Sequence, residues 1–179
     1  MKTYRTVRHI VILVHPYSNL LNISAPIEVF QTADNNFDKA ERDIHFTYQL
    51  HIVSAQQNKT VDMSPGISIT CESSYKKIDY PIDTLIVAGA PRKNGYKKEV
   101  LEWLKEQSAI VRRICSMCAG AFILAEAGIL VNKKATTHWM LCEEMSCAYS
   151  QTMVNMEAIF VKDGNVYTST GMYTGVDLG

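Results

Sequence analysis

A chain of 179 residues is about the size of one domain and is long enough to bury a sizeable core. Its 47% hydrophobic and 20% charged residues are ordinary for a globular protein and argue against intrinsic disorder. The 18 basic residues balance the 18 acidic ones, so the chain lacks the basic excess with which a domain grips a phosphate backbone, and direct nucleic-acid binding is disfavoured.

The N-terminal segment resembles a signal peptide only in its basic start, MKTYRTVRH. The apolar run that follows, Ile10 to Val14, is too short for a signal-peptide core or a membrane span. The cysteines are odd in number and lie largely in apolar surroundings, which suits a reducing compartment. They are Cys71, Cys115, Cys118, Cys142 and Cys147. We therefore expect a soluble, cytoplasmic domain that does not contact a membrane.

The first half of the chain alternates apolar strands with loops and a helix. Val7–Val14 is a nearly continuous run rich in β-branched residues, which predicts a strand covered on both faces. Ser24 can cap a helix that starts at Ala25-Pro26, with proline in its first turn. His45–Ser54 is predicted as the second strand. Two short strands of a hairpin or side flap follow, at Thr60–Asp62 and Ile67–Cys71, around Ser64-Pro65-Gly66.

The second half continues the alternation of strands and helices. Its predicted elements are the strand Asp83–Ala88, the helix Tyr96–Gln107, the strand Ala109–Cys115, the helix Ala119–Ala127 closed by Gly128, the helix His138–Tyr149, and a hairpin of Ile159–Lys162 and Val166–Thr170 around Asp163-Gly164. Alternating strands and helices predict an α/β sandwich with a mostly parallel sheet.

A cysteine lies in a cramped turn between an apolar strand and an apolar helix, in the stretch ICSMCAGAFILAEAG. Such a turn presents Cys118 at the carboxyl edge of the sheet, and the small residues Ala119-Gly120-Ala121 let helix and strand approach closely. The positive end of the helix favours a thiolate, and ligands of α/β sheets collect at this edge. The alternative is a small buried cysteine that only fills the turn. We favour a functional pocket.

Other cysteine and histidine patterns in the chain are weaker indications of a functional site. Cys115 and Cys118 form a C-x-x-C, but Cys115 belongs to the strand, so its side chain is expected in a sheet layer rather than in a redox pair. His138 and Cys142 have helical spacing, yet no third or fourth metal ligand has suitable spacing. The histidines of the second strand, His45 and His51, are interpreted as structural. We predict neither a metal nor a cofactor.

The stretch GAPRKNG after the third strand is a second loop at the same edge. The N–H groups of Gly89 and Ala90 could face an oxyanion together with the N–H of Ala119. The alternative, which the sequence favours equally, is an ordinary turn without a functional role. The loop is not a P-loop, because no Lys-Ser/Thr pair follows at the required spacing.

With these residues placed, the chain resembles the class I glutamine amidotransferase-like superfamily in its PfpI branch. The matching stretches are HPYSNLLNISAPIEVF, VAGAPRKNG, ICSMCAGAFILAEAGIL, KKATTHW and DGNVYTSTGMYTGVDL. Within that branch it resembles most the isonitrile hydratases and the amidase-like N-terminal domains of AraC-type transcriptional regulators. The resemblance implies a flavodoxin-like three-layer sandwich, usually dimeric, with the elbow cysteine at the base of a pocket.

Carried over to this chain, the resemblance gives Cys118 the position of the nucleophile. The carboxylate that hydratases place beside it is replaced by Asn22, and the residue that follows is Ala119 instead of threonine. No histidine adjoins Cys118 or begins an H-x-E, which are the arrangements of PfpI-type proteases and amidotransferases. Because an amide cannot act as a general acid or base, the catalytic set looks degraded. This predicts a pocket that binds rather than an enzyme.

Two functions from different classes follow from these features. The leading hypothesis is the ligand-sensing, dimerising N-terminal domain of an AraC-type regulator, in which Asn22, Gly89, Ala90, Cys118 and Ala119 line an effector pocket. The terminal stretch GMYTGVDLG begins a helix without finishing it, so we expect a single domain over 1–179 with a DNA-binding helix-turn-helix beyond it. The rival is a stand-alone cysteine hydratase or hydrolase of a small C–N substrate. Redox sensing through oxidation of Cys118 is a third possibility.

Overall fold

A seven-stranded sheet forms the centre of the computed structural model, which describes residues 6–37, 46–64, 66–91 and 95–171. Its strand order is β10-β11-β7-β6-β1-β2-β5. All neighbouring pairs are parallel except β10 with β11, which form an antiparallel hairpin at one edge. The strands are β1 Thr6–Val14, β2 Phe46–Ser54, β5 Ser73–Ser74, β6 Ile82–Val87, β7 Arg113–Met117, β10 Phe160–Asp163 and β11 Val166–Ser169.

Helices and two small sheets surround this central sheet. The helices are α1 Leu21–Phe37, α2 Lys98–Ile110, α3 Gly120–Glu126 and α4 Cys142–Ala148, with single 3-10 turns at Tyr75–Lys77 and Trp139–Leu141. The small sheets pair β3 Thr60–Asp62 with β4 Ser68–Thr70, and β8 Lys134–Ala135 with β9 Met153–Val154. Within the described ranges, none of the helices has the length and apolar character needed to cross a membrane.

The side chains of β1 alternate between two hydrophobic clusters, one on each face of the sheet. Val11 and Leu13 pack in the cluster that contains the buried residues of α2 and α3. Ile10, Ile12 and Val14 pack in the cluster that contains the buried residues of α1. Because both faces are covered, β1 is apolar without a polar alternation. The predicted three-layer α/β sandwich with a mostly parallel sheet is confirmed.

The order of the strands reverses direction at β1. From β1 the chain proceeds to β2 and β5 on one side, and then returns to place β6, β7 and β11 on the other side. The loops that leave the carboxyl ends of β1 and β6 therefore diverge, which opens a crevice between them where ligands of this architecture bind.

The first helix begins four residues earlier than the sequence predicts. It starts at Leu21 rather than at Ala25, because the side-chain oxygen of Asn19 accepts a hydrogen bond from the Leu21 N–H at 3.0 Å and caps the first turn in place of Ser24. Pro26 consequently lies inside the helix, where it removes one backbone hydrogen bond.

The boundary between α2 and β7 also differs from the prediction. The strand was expected from Ala109, but α2 continues to Ile110 and the strand begins at Arg113. The side-chain amide of Asn165 donates to the carbonyl oxygens of Ser108 and Val111, at 2.9 and 3.4 Å, and so satisfies groups that the helix end leaves unpaired. This contact spans more than fifty residues, so the local pattern could not reveal it.

The other predicted elements lie close to their predicted places, whereas the two-residue strands β5, β8 and β9 were not predicted. The stretch predicted as one helix over His138–Tyr149 is a 3-10 turn followed by α4, and Gly128 closes α3 with a φ of 75° as expected. Some predictions fall outside the described residues: those on His45, on Pro65, on residues 92–94 of the GAPRKNG loop, and on the terminal stretch 172–179.

Candidate functional site at the cysteine turn

Cys118 occupies the left-handed region of backbone conformation, with a φ of 54°, between β7 and α3. A non-glycine residue there is strained by about 1–2 kcal/mol. Two hydrogen bonds hold the strained residue in place. Its N–H donates to the Ser169 carbonyl oxygen at 3.0 Å, and its carbonyl oxygen accepts from the Thr137 hydroxyl at 3.0 Å. The predicted strand-to-helix elbow is therefore present.

Two glycines make the close approach around the elbow possible. A Cβ on Gly120 would collide with the carbonyl oxygen of Val87, the last residue of β6. A Cβ on Gly89 would lie 2.6 Å from the carbonyl oxygen of Met117, nearer than real Cβ atoms come. Only glycine fits at either position, and the loop after β6 consequently packs directly against the turn that carries Cys118.

Asn22 lies in the first turn of α1 and is buried, with 1% of its surface exposed. Its side-chain Nδ2 donates to the carbonyl oxygen of Gly89 at 3.5 Å, while its Oδ1 has no hydrogen-bond partner among the described residues. A Cβ on Gly89 would lie 2.9 Å from both Asn22 Nδ2 and the backbone nitrogen of Ala119. The structure thus brings together Asn22, Gly89, Cys118 and Ala119, four of the five residues that the sequence singles out.

The thiol of Cys118 differs from the sequence-based expectation in its acidity. Burial raises its pKa above the usual value, and the hydrogen bond with the Ala119 N–H lowers it by less. The sequence predicted that the end of α3 would favour a thiolate. The Ala119 N–H at that end does lower the pKa of Cys118, but desolvation of the charged form raises it by more, so the net shift is upward.

Cys115 and Cys142 are the cysteines for which the sequence raised redox or metal chemistry. Cys115 is buried in the cluster on the α1 side of the sheet, and burial raises its pKa to about 12, in agreement with the expectation that it lies in a sheet layer. The Cys142 thiol donates to the carbonyl oxygens of Thr137 and His138, at 3.7 and 3.6 Å. No group of three or more potential metal ligands occurs in the part of the chain that the structure describes.

Histidine 51 has the structural role that the sequence suggested. It is buried, its Nδ1 lies 2.8 Å from a Glu72 carboxylate oxygen, and its Nε2 lies 2.9 Å from His9 Nδ1. The ring of Tyr80 stacks on His51 at a centroid distance of 4.2 Å. These contacts tie β1 and β2 together on the sheet.

Sequence reasoning missed three residues next to the elbow. Ser169 and Thr137 hold the backbone of Cys118, and His138 follows Thr137 directly. The ring Nδ1 of His138 accepts from the Met140 N–H at 3.3 Å, and no hydrogen bond joins His138 to Cys118 within the described ranges. The signal for Thr137 and His138 was the stretch ATTHW, and the signal for Ser169 was DGNVYTSTG, both of which carry the resemblance.

A cavity of about 390 Å³ opens beside the elbow. Of the residues predicted to line a pocket, it includes Ala90 but not Asn22, Gly89, Cys118 or Ala119. Its walls come instead from the ends of β1 and β2, the loop after β6 and the start of α2.

Comparison with known proteins gives related enzymes and related regulators. The chain is 27% identical over 173 residues to the isonitrile hydratase of Pseudomonas putida, covering 92% of this chain and 66% of the hydratase. It is 27% identical over 131 residues to the HTH-type transcriptional regulator CdhR of Pseudomonas aeruginosa, covering 73% of this chain and 38% of CdhR. The chain therefore spans less than two thirds of the length of either relative.

Solved structures share the fold. An AraC family transcriptional regulator from Pseudomonas putida superposes with a TM-score of 0.76 at 18% identity, covering 96% of this chain and 88% of that one. The model of the DJ-1/PfpI family matches residues 8–179, nearly the whole chain. The strained cysteine turn, the mostly parallel sheet and this match agree, and the chain belongs to the DJ-1/PfpI family.

Proposed function

We propose that this chain is the ligand-sensing and dimerising domain of an AraC-type transcriptional regulator. In this proposal a small effector occupies the region beside Cys118 and changes the relative placement of the attached DNA-binding units. A helix-turn-helix beyond residue 179 reads the DNA. This chain acts on DNA only through that attached domain.

The observation that carries the proposal is the buried amide of Asn22 beside the elbow. Asn22 stands where the resemblance places the catalytic carboxylate of the hydratases, and an amide cannot gain or lose a proton near neutral pH. The thiol of Cys118 is at the same time harder to ionise than an ordinary cysteine. An elbow whose thiol is hard to ionise and whose neighbour at position 22 is an amide is better suited to binding than to turnover.

Two further facts support a regulatory role. CdhR is named as an HTH-type transcriptional regulator, and the segment similar to this chain is 38% of its length, which leaves the larger part for other functions. The net charge of this chain is zero, which fits a domain whose DNA contacts lie on another part of the protein.

The alternative function is a cysteine-dependent hydratase or hydrolase acting on a small C–N substrate. The strained backbone of Cys118 and the similarity to isonitrile hydratase over 92% of this chain favour it. In that role Cys118 is the nucleophile and Asn22 orients the substrate by hydrogen bonds. Turnover of an isonitrile or small amide that disappears in Cys118→Ala would establish it, and absence of turnover across a panel would exclude it.

The first test of the regulatory proposal is the intact mass of the protein as its own cell makes it. We expect a product heavier than the 20.1 kDa of this chain by a further domain of about 100 residues. A native product close to 20.1 kDa would contradict the proposal and direct attention to substrate screens on Cys118.

A further inference from the structure

A second candidate site lies at the crevice where the strand order reverses. The cavity of about 390 Å³ is bounded by His15 and Tyr17 after β1, Gln56 after β2, and Tyr96 and Lys97 before α2. It shares Ala90 with the residues around the cysteine turn but does not include Cys118. A volume of this order is sufficient for a small organic ligand.

His15 lines this cavity, and one of its ring nitrogens is buried without a partner among the described residues. The residue is 6% exposed, and its Nε2 makes no hydrogen bond to any residue that the structure describes. The edge of its ring meets Tyr96 at a centroid distance of 5.7 Å. Burial lowers the pKa of His15 to about 4, so the imidazole is neutral near pH 7. A buried polar atom of this kind requires a partner, and a ligand in the cavity can supply one.

The charge of the cavity wall favours an anion. Lys97 contributes a positive charge, and none of the lining residues that the structure describes is acidic. Lys97 is also the N-terminal cap of the 13-residue helix α2, and its side chain makes no capping hydrogen bond to the first turn. Free N–H groups at a helix start attract negative charge. The acidic residue of the first turn, Glu99, lines an adjoining smaller cavity, which shares Ala55, Gln56 and Lys97 with this one.

Part of the wall is apolar. Ala55, Ala90 and Val100 are buried and line the cavity without offering side-chain hydrogen bonds. A ligand that fits both parts carries a negative charge at one end and an apolar body at the other.

We propose that this cavity binds a small organic carboxylate that has an apolar body and a hydroxyl group. The carboxylate lies at Lys97 and the start of α2, the body lies against Ala55, Ala90 and Val100, and the hydroxyl group pairs with His15 Nε2. A hydroxyl group both donates and accepts, so it suits either tautomer of the neutral imidazole. The inference does not depend on the regulatory role, because binding is measured on this chain without DNA.

The test uses three related probes and calorimetric titration of the 179-residue chain. We expect para-hydroxybenzoate to bind with a Kd of about 1 mM or lower. Benzoate, which lacks the hydroxyl group, and para-hydroxybenzamide, which lacks the charge, should each bind at least about fivefold more weakly. The imidazole nitrogen resonances of His15 should shift on addition of para-hydroxybenzoate.

Two lysine variants provide a matched comparison. Lys97→Met should weaken para-hydroxybenzoate at least about fivefold and leave para-hydroxybenzamide unchanged. Lys98→Met removes the neighbouring exposed charge, which pairs with Glu102 outside the cavity, and should leave both affinities unchanged. His15→Gln should lower the affinity for para-hydroxybenzoate to that for benzoate. If this variant of a buried residue does not fold, the comparison of Lys97→Met with Lys98→Met tests the proposal.

Three results would overturn the proposal. One is the absence of saturable para-hydroxybenzoate binding up to about 20 mM. Another is an equal loss of affinity in Lys97→Met and Lys98→Met, which would indicate a diffuse charge effect. The third is binding that shifts the resonances of Cys118 and leaves those of His15 unchanged.

Discussion

The side chain of Asn22 and the backbone of Gly89 meet beside the cysteine turn, although 67 residues separate them in the sequence. Asn22 Nδ2 donates to the carbonyl oxygen of Gly89 at 3.5 Å, and the same nitrogen would lie 2.9 Å from a Cβ on Gly89. This contact joins the first turn of α1 to the loop after β6. It leaves no room for a larger residue at 89 and fixes the amide beside Cys118.

Gly89→Ala is expected to destabilise the protein by about 2–3 kcal/mol or more, because the added Cβ meets backbone atoms that cannot rotate away. These atoms are the carbonyl oxygen of Met117 at 2.6 Å and the nitrogen of Ala119 at 2.9 Å. Gly164→Ala is the control. Its φ is 62° and its added Cβ meets only the Lys133 side chain at 3.9 Å, so about 1 kcal/mol of backbone strain is expected. Urea unfolding measures both, and equal costs would contradict the packing argument.

Asn22→Asp restores a carboxyl group at the position that the hydratase resemblance gives to an acid, and it should destabilise the protein increasingly as the pH rises. Burial raises the pKa of such a group above its unfolded value of about 3.9, so the unfolded state loses its proton first. The free energy of unfolding relative to wild type should therefore fall by about 2 kcal/mol or more between roughly pH 4 and pH 8.

Asn19→Asp is the matched control for this charge. Asn19 caps the start of α1 near the surface, where a negative charge is favourable, so this variant should be as stable as wild type or more stable. If the stability of Asn22→Asp, like that of Asn19→Asp, did not fall with rising pH, the side chain at 22 would be accessible to water.

Alkylation of Cys118 by iodoacetamide should be slow near neutral pH and should accelerate only above the ordinary thiol pKa of 9.0, because burial raises the pKa of this thiol. Peptide mass analysis distinguishes it from the exposed Cys147, which serves as the internal reference. Cys118→Ser identifies the modified peptide. A midpoint of Cys118 alkylation well below 9.0 would mean that the end of α3 stabilises the thiolate more than burial opposes it.

The burial of His15 should make stability fall as the pH is lowered from 6.5 towards 4. The pKa of about 4 in the folded state lies below the unfolded value of 6.5. As the pH falls, the unfolded state therefore binds the proton first and is stabilised relative to the folded state. The full effect, present above pH 6.5 and lost by about pH 4, is roughly 3 kcal/mol.

The comparison that isolates this effect is His15→Gln, whose stability should change less over the same range. The other titratable side chains that the structure describes in the cavity wall are Tyr17, Tyr96 and Lys97, and none of these three is an acid that could hold a protonated imidazole. Parallel pH profiles for wild type and His15→Gln, measured by urea unfolding, would show that His15 takes up its proton without cost in the folded state.

Local patterns of the sequence determined much of the fold. The apolar runs of β1 and β6 are recognisable because strands covered on both faces require side chains that are apolar at successive positions. The cysteine turn is recognisable because a tight approach between strand and helix requires Ala119 and Gly120 after Cys118. In each case the constraint acts between residues that are close in the chain, so the sequence is sufficient.

Tertiary structure alone decided where those residues meet and how acidic they are. The pKa of Cys118 depends on its burial, and the end of α2 depends on Asn165, which lies more than fifty residues away. The cavity at His15 and Lys97 exists because β1 and β6, distant in the chain, are neighbours in the sheet. Desolvation and long-range pairing act between surfaces that only folding brings together, and no periodicity in the chain encodes them.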